Sequence, residues 1–285
     1  MSDQSHVNPT NPRRLGYKAM EILLGRLPTG RWARALPGFP RFYTDRVMAR
    51  RDHTGLYSGI YPSYAAAMQA IPKSRQSGWN TDNSAKLWSD HIDPVRLSTY
   101  PVFFWLSQLY RENDALVDAG GSIGVTYYGY KRLGKLPKGA TWTVVEVTKI
   151  AEEGTRIAQR EQAVGLSFLD RLQDVPRCDI LISCGAMQFM ETSIPGMLEA
   201  LPAKPRYLIL NKLPITPYED FWTLQNYGPA VTPNRLYNER KFLEYFNGHG
   251  YRLRDRWDVQ DLDCIIPFHP ERYLKEFAGF VFELR

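Results

Sequence analysis

The chain has 285 residues, 44% of them hydrophobic, enough to bury one sizeable core with an accessory layer, so one domain with an extension is expected ahead of two independent domains. Its longest apolar stretch, Pro101 to Tyr110, falls far short of the roughly 20 residues that cross a bilayer, and the opening residues lack the apolar segment of a secretory signal. Three cysteines without CxxC spacing (Cys178, Cys184, Cys264) argue against a disulfide framework and a zinc site, so a cytoplasmic location is expected.

Through Ile60 the chain carries ten Lys and Arg against four Asp and Glu, so the whole net charge of +6 lies in its first fifth. Such an arm suits an anionic lipid surface or a phosphate-bearing substrate, or it is simply a solvated basic face. Peripheral contact with the inner face of a membrane is one expectation from it; a nucleic-acid partner is not expected.

In chain order, Leu15 to Leu27 has helical apolar spacing ahead of a Pro- and Gly-rich stretch to Pro40. Tyr61 to Ile71 reads as a short helix with Ser63 as N-cap and Pro72 as stop, and a longer helix is expected from about Leu97 to Glu112. From Ala115 short apolar runs alternate with helical patterns, the signature of a parallel sheet covered on both faces. Strands are expected at ALVDA, TWTVVEV, LSFLD, CDILIS, RYLILNK, YRLRDRW and GFVFELR. Helices are expected near Val125 to Leu133, Lys149 to Gln162, Ser193 to Leu201 and Asn238 to Asn247, and the last strand should insert antiparallel.

The first strand ends in Asp118, followed by Gly120, Gly121, Ser122 and Gly124. Glycines here let a ligand approach the backbone and let the next helix start tight against the strand, while the turn presents N–H groups. A dinucleotide fingerprint, G-x-G-x-x-G, fails from either Gly120 or Gly121, and a carboxylate at Asp118 sits badly beside a pyrophosphate. It suits a ligand bearing a sulfonium and an ammonium group. Glu146 ends the neighbouring strand, 28 residues after Asp118, where its two oxygens can accept from a ribose diol; the competing role is a partner for the dipole of the next helix.

VDAGGSIG, with Ser122 in place of the usual middle glycine, resembles the first motif of class I S-adenosylmethionine-dependent methyltransferases. WTVVE is similar to their second motif, and DILISCGAMQFME to the fourth-strand segment that flanks the methyl donor. More narrowly, LYSGIYPSYAAA, GGSIGVTYYGY, SCGAMQFM and YLILNKLPIT resemble a family of bacterial methyltransferases associated with surface-polysaccharide gene clusters. The broad resemblance covers Ala115 to Arg285 and the narrow one reaches back to Leu56. One departure is Asn211-Lys212, where that family tends to carry an arginine after the fifth strand; Lys acts only as a point charge.

The resemblance implies an α/β Rossmann-like sheet of seven strands, mostly parallel with an antiparallel last strand, over 115–285. A helical cap or lid is expected over 56–114 and a basic arm over 1–55. It implies S-adenosylmethionine as cofactor, held by Asp118, Gly120, Gly121, Ser122, Gly124, Glu146, Asp170, Ser183, Cys184 and Gly185, and no metal. The acceptor is then a small molecule or glycan: a sugar, nucleotide sugar or lipid-linked glycan, methylated on oxygen. Tyr127, Tyr128, Gln188 and Lys212 are candidates to meet it, and His91 and His269 are candidates for the general base. Glu191 also lies near a strand end. Tyr57, Tyr61, Trp79 and Trp88 are candidate lid aromatics, with core packing as the alternative. A nicotinamide-dependent oxidoreductase and a non-catalytic Rossmann scaffold are the rival readings.

Overall fold

The computed structural model describes residues 33–51, 55–75, 78–80, 95–134, 136–191, 194–228 and 230–285. The expected helix at Leu15 to Leu27, His91 and Trp88 lie outside the described residues.

The chain enters through α1 (Phe39–Met48), β1 (Leu56–Tyr61) and α2 (Tyr64–Gln69), with Ser63 accepting from the Ala66 N–H as N-cap. A 3₁₀ turn at Leu97–Thr99 leads into α3 (Tyr100–Leu109). The alternating part follows as β2 (Ala115–Ala119), α4 (Val125–Leu133), β3 (Thr141–Val145), α5 (Thr148–Arg160), β4 (Leu166–Leu169), β5 (Ile180–Cys184), α6 (Ile194–Glu199) and β6 (Tyr207–Leu213). Three strands come next, β7 (Ile215–Thr216), β8 (Phe221–Asn226) and β9 (Val231–Asn238). The chain closes with α7 (Glu239–Gly248), capped by Asn238, then β10 (Tyr251–Val259) and β11 (Phe277–Leu284).

The main sheet has the order β10-β11-β6-β5-β2-β3-β4. The pairs among β4, β3, β2, β5 and β6 are parallel, and β11 is antiparallel to both β6 and β10. This is the seven-stranded, mostly parallel architecture expected from the sequence, including its antiparallel last strand. Successive strand residues alternate between two cores, as the period of two requires. Val117, Leu181, Leu208 and Leu210 pack with Phe242 and Phe246 of α7, whereas Leu116, Ile180, Ile182 and Ile209 pack with Phe103 and Leu106 of α3 and Tyr127 and Tyr130 of α4.

A second, four-stranded sheet, β1-β8-β9-β7, differs from expectation. The 56–114 segment is not wholly helical: Leu56–Tyr61 pairs antiparallel with β8, and β8 pairs antiparallel with β9. Prolines obscure these strands in the sequence, since Pro214, Pro217 and Pro233 read as breakers. Pro233 is tolerated because β9 is hydrogen-bonded to β8 on one side and meets β7 only at Tyr237 and Asn238 on the other. Part of the basic arm also belongs to the folded body. Met48 of α1 packs with Ala67, Trp222, Leu224 and Val231, and the Asn226 amide donates to the carbonyls of Val47, Met48 and Arg50.

Candidate functional site

β2 has β3 on one side and β5 on the other, and the helices that follow leave toward opposite faces: α4 and α5 share one core, α6 the other. A crevice must open at the carboxyl ends of β2 and β5, the place where open α/β sheets bind ligands.

The glycine turn sits there. Gly120 has φ +73°, and a Cβ on it would collide with the Ala186 side chain of the loop after β5; a Cβ on Gly121 would collide with the Asp118 carboxylate. The room expected for a ligand is therefore taken at these two positions by the chain itself, which is why the turn can fold down onto β5. Ser122 has φ +55°, a left-handed backbone where a glycine is the easier residue. Its N–H then points at the end of β3 and donates to Glu146 Oε1 at 3.0 Å.

Asp118 is fully buried, and neither carboxylate oxygen has a hydrogen-bond partner. Burial pushes its carboxyl up to about 7; the Trp142 indole and the Thr126 hydroxyl oppose that rise by proximity, without closing a hydrogen bond, while the Glu146 charge adds to it. An unpaired buried carboxylate is costly unless something cationic meets it. Glu146 is better served: Oε2 accepts from the Val147 N–H at 3.0 Å, Oε1 from Ser122. Burial still lifts it to about 6, against the pull of those two backbone donors. A carboxylate has about four lone-pair sites, so two remain for other donors.

The other expected cofactor residues divide. The Ser183 hydroxyl is buried and donates to the Ala119 carbonyl at 2.8 Å, so it ties β5 to β2 and has only acceptor capacity left. Cys184 stands between Asp118 and Lys212, its thiol pushed up to about 12 by burial first and Asp118 second. Gly185, φ +84°, donates its N–H to the Asn211 carbonyl and lies against the Lys212 side chain. Asp170 is exposed at the end of β4 and accepts from Thr148 Oγ1 at 3.3 Å.

Tyr127 and Tyr128 do not reach the crevice, contrary to expectation. Both belong to the core between α4 and the sheet, and Tyr127 donates to the Val164 carbonyl just ahead of β4, at the amino end of that strand. Following the turn in sequence says nothing of which side of the helix a residue takes, and theirs is the packed side. His269 lies in the loop between β10 and β11, where it meets Arg34 and Glu271; burial and Arg34 lower its pKa. Gln188 is 3% exposed with an unpartnered Oε1. Lys212 holds a left-handed backbone, φ +60°, at the carboxyl end of β6, and its ammonium makes no hydrogen bond or ion pair among the described residues. Burial lowers its pKa, with Cys184, Arg96 and Asp261 as its charged or titratable neighbours.

Sequence reasoning missed the strap formed by Trp79 and Asn80. Asn80 Oδ1 accepts from the Lys149 N–H at the start of α5, two residues past Val147, and Trp79 packs on Phe189 and Tyr227 at ring-centroid distances of 5.9 and 4.6 Å. These two residues thus run from the β3 side of the crevice to the β5 side. Trp79 was a candidate lid aromatic with core packing as the alternative; its partners were not foreseen, because Tyr227 follows β8 of the unrecognised second sheet. Of the other aromatics, Tyr57 packs in the cluster with Phe221 and Leu236, and Tyr61 beside Trp222.

No family model matches the sequence, and no curated protein matches it either. Solved structures with a similar fold include magnesium protoporphyrin IX methyltransferase from Synechocystis PCC 6803 with bound S-adenosylmethionine, at 14% identity and TM-score 0.48, covering 73% of this chain and 93% of that one. A second is the 1,6-didemethyltoxoflavin-N1-methyltransferase of Burkholderia thailandensis, at 14% identity and TM-score 0.46, over 75% of this chain and 94% of that one. A third is an S-adenosylmethionine-dependent methyltransferase from Thiobacillus denitrificans, at 15% identity and TM-score 0.46, over 74% of this chain and all of that one. At these identities the likeness concerns the fold.

Proposed function

We propose that the protein is an S-adenosylmethionine-dependent methyltransferase acting on a hydroxyl of a sugar, nucleotide sugar or lipid-linked glycan. The observation that carries the cofactor reading is Asp118: a buried, unpartnered carboxylate under a glycine turn at the switch point of the sheet. An anionic pyrophosphate there would face that carboxylate, which disfavours a dinucleotide, whereas a ligand ammonium would relieve it. Glu146, with two lone-pair sites left after Ser122 and Val147, suits a ribose diol. Bound S-adenosylmethionine supplies a methyl group on a sulfonium, transferred by in-line displacement, a reaction that needs alignment, exclusion of water and removal of a proton.

The chain's residues fit those tasks. Trp79 and Asn80, reaching from the start of α5 to Phe189, would cover the bound cofactor against water, and Lys212, beside Cys184, and Gln188, in the turn after β5, would meet the acceptor. The basic N-terminal arm, with Arg34, Arg41, Arg46, Arg50 and Arg51 on its described part, suits a phosphate-bearing or membrane-bound acceptor. No helix among the described residues is long and apolar enough to cross a membrane, so contact with lipid would be peripheral.

S-adenosylhomocysteine at about 100 times its Kd, without added divalent metal, is expected to raise the thermal midpoint by about 5 to 10 °C, since a ligand that binds only the native state adds about 2.7 kcal/mol. A midpoint that responds only to NAD, or only once a divalent ion is added, would remove the cofactor assignment.

A further inference from the structure

The second sheet has two faces of different character. Trp222, Leu224 and Val231 look outward and are covered by Met48 of α1 and Ala67 of α2. The opposite face looks at the main sheet, because Phe221, Leu236 and Tyr57 pack on Val259, Cys264, Ile266 and Phe277 at the upper ends of β10 and β11. Strand registry puts Thr223 opposite Asn234 and Gln225 opposite Thr232 on that same inward face. One half of the inward face is thus apolar and packed, and the other half is a row of buried neutral polar groups.

The row is not self-sufficient. The Asn234 amide donates to Gln225 Oε1 and Thr223 donates to the Ser58 carbonyl, yet Asn234 Oδ1, on a residue 1% exposed, has no donor. β9 packs against the turn Met187–Phe189, which carries the equally buried Gln188 with its own donorless oxygen. Beyond Gln225 the same strand leads to Tyr227, in edge contact with Phe189 at 5.3 Å. Two buried acceptor oxygens lacking donors, where an inserted sheet closes over the carboxyl end of β5, are more than packing requires.

We propose that the inward polar face of the second sheet, with Asn234 and Gln225, joins Gln188 to form the acceptor-recognition wall, and that it reads a neutral, hydroxyl-rich ring of the pyranoside kind. This inference rests on the methyltransferase reading and narrows its acceptor. Carboxamide oxygens lacking donors ask for ligand O–H groups, the absence of charge along the row disfavours an ionised group at that wall, and Phe189 and Tyr227 offer aromatic edges and faces to the C–H side of a sugar ring. Every acceptor hydroxyl that the wall engages costs a competing ligand without it an unpaired buried oxygen, which makes the wall a specificity element as well as a binding one.

The test uses the full-length protein saturated with S-adenosylhomocysteine and saturation-transfer NMR with four probes, the methyl glycosides of glucose, galactose, mannose and rhamnose, alongside p-cresol as an aromatic alcohol of similar size. At least one glycoside should bind, and Gln188→Met and Asn234→Leu should each weaken it at least tenfold while S-adenosylhomocysteine affinity stays within twofold. Gln188→Met keeps the length of the side chain and removes both polar groups, so it guards against a misfolded Asn234→Leu. Binding of p-cresol alone, binding of no glycoside, or glycoside binding unchanged in both variants overturns the wall. S-adenosylhomocysteine binding in the same samples reports separately on the cofactor: its loss with glycoside binding intact would strike the methyltransferase reading and spare the wall.

Discussion

Asp118→Asn is expected to make the ligand-free protein more stable at pH 8 and a poorer cofactor binder. Folding takes this carboxyl from its usual 3.8 to about 7, mainly by burial. The folded state therefore holds the proton more tightly than the unfolded chain, and stability declines as pH rises from about 4 to about 7, then levels off. Above that window the native protein carries the full cost of a buried, unpaired charge, which asparagine does not. A gain of about 2 kcal/mol, toward the low end of such costs, corresponds to roughly 4 to 8 °C in the midpoint for a chain of this size. The gap should narrow as pH falls from 8 to 5, where the native carboxyl is already neutral.

The same substitution removes the charge that answers a ligand ammonium. A charge-assisted contact contributes about 1.5 to 3 kcal/mol, so S-adenosylhomocysteine should bind about 10- to 100-fold more weakly at pH 8. Between pH 8 and 6.5 wild-type affinity should itself fall as Asp118 takes up its proton, and the variant's affinity should fall less, leaving the loss below about pH 6, where Glu146 titrates, common to both. Melting curves and titrations at pH 5, 6.5 and 8 check both halves. A variant that is less stable at pH 8 and binds the cofactor unchanged would make Asp118 a structural group.

Glu146→Ala should lose both binding and stability. From sequence, its alternative roles were a ribose partner or a helix-dipole partner, and the structure adds a third that neither anticipates: the carboxylate pins the glycine turn through the Ser122 N–H. Removing it frees two backbone donors, Ser122 and Val147, at a cost of about 2 kcal/mol, so the midpoint should drop by roughly 4 to 8 °C. Cofactor affinity should fall about 10- to 100-fold. Glu146→Gln keeps one acceptor oxygen and should lie between on both measures. A lowered midpoint with affinity intact would leave Glu146 as a turn anchor only, and ribose recognition would have to come from elsewhere.

The central strands of the main sheet were legible because parallel strands buried on both faces must be continuous apolar runs, as β2, β5 and β6 are; the edge strand β10, with its exposed Arg252, Arg254 and Arg256 alternation, was legible from its place before the apolar β11. The first strand and α4 were legible to the residue, since Asp118 and the glycine turn mark the junction. The second sheet was not: β8 and β9 carry Thr223, Gln225, Thr232 and Asn234 on one face and a proline in the middle, and a polar strand face is indistinguishable from a loop until something is seen to cover it. For the same reason the acceptor side was misjudged. Tyr127 and Tyr128 follow the turn in sequence but pack into the core, while Lys212 lies at the end of β6 and Gln188 in the turn after β5, because a strand end fixes position and a helix residue's number does not fix its side. Ser183 was placed on the correct strand, and its donation to Ala119, which joins β5 to β2, could not be read from the sequence.

The crevice beside Asp118 and Glu146 is expected to take S-adenosylmethionine. Isothermal titration of the purified full-length chain with S-adenosylhomocysteine and, separately, with NAD, both in the presence of a chelator, addresses it most directly. One equivalent of S-adenosylhomocysteine should bind with measurable heat and NAD should give none; saturable binding of NAD, or of neither ligand by a folded protein, would contradict the account.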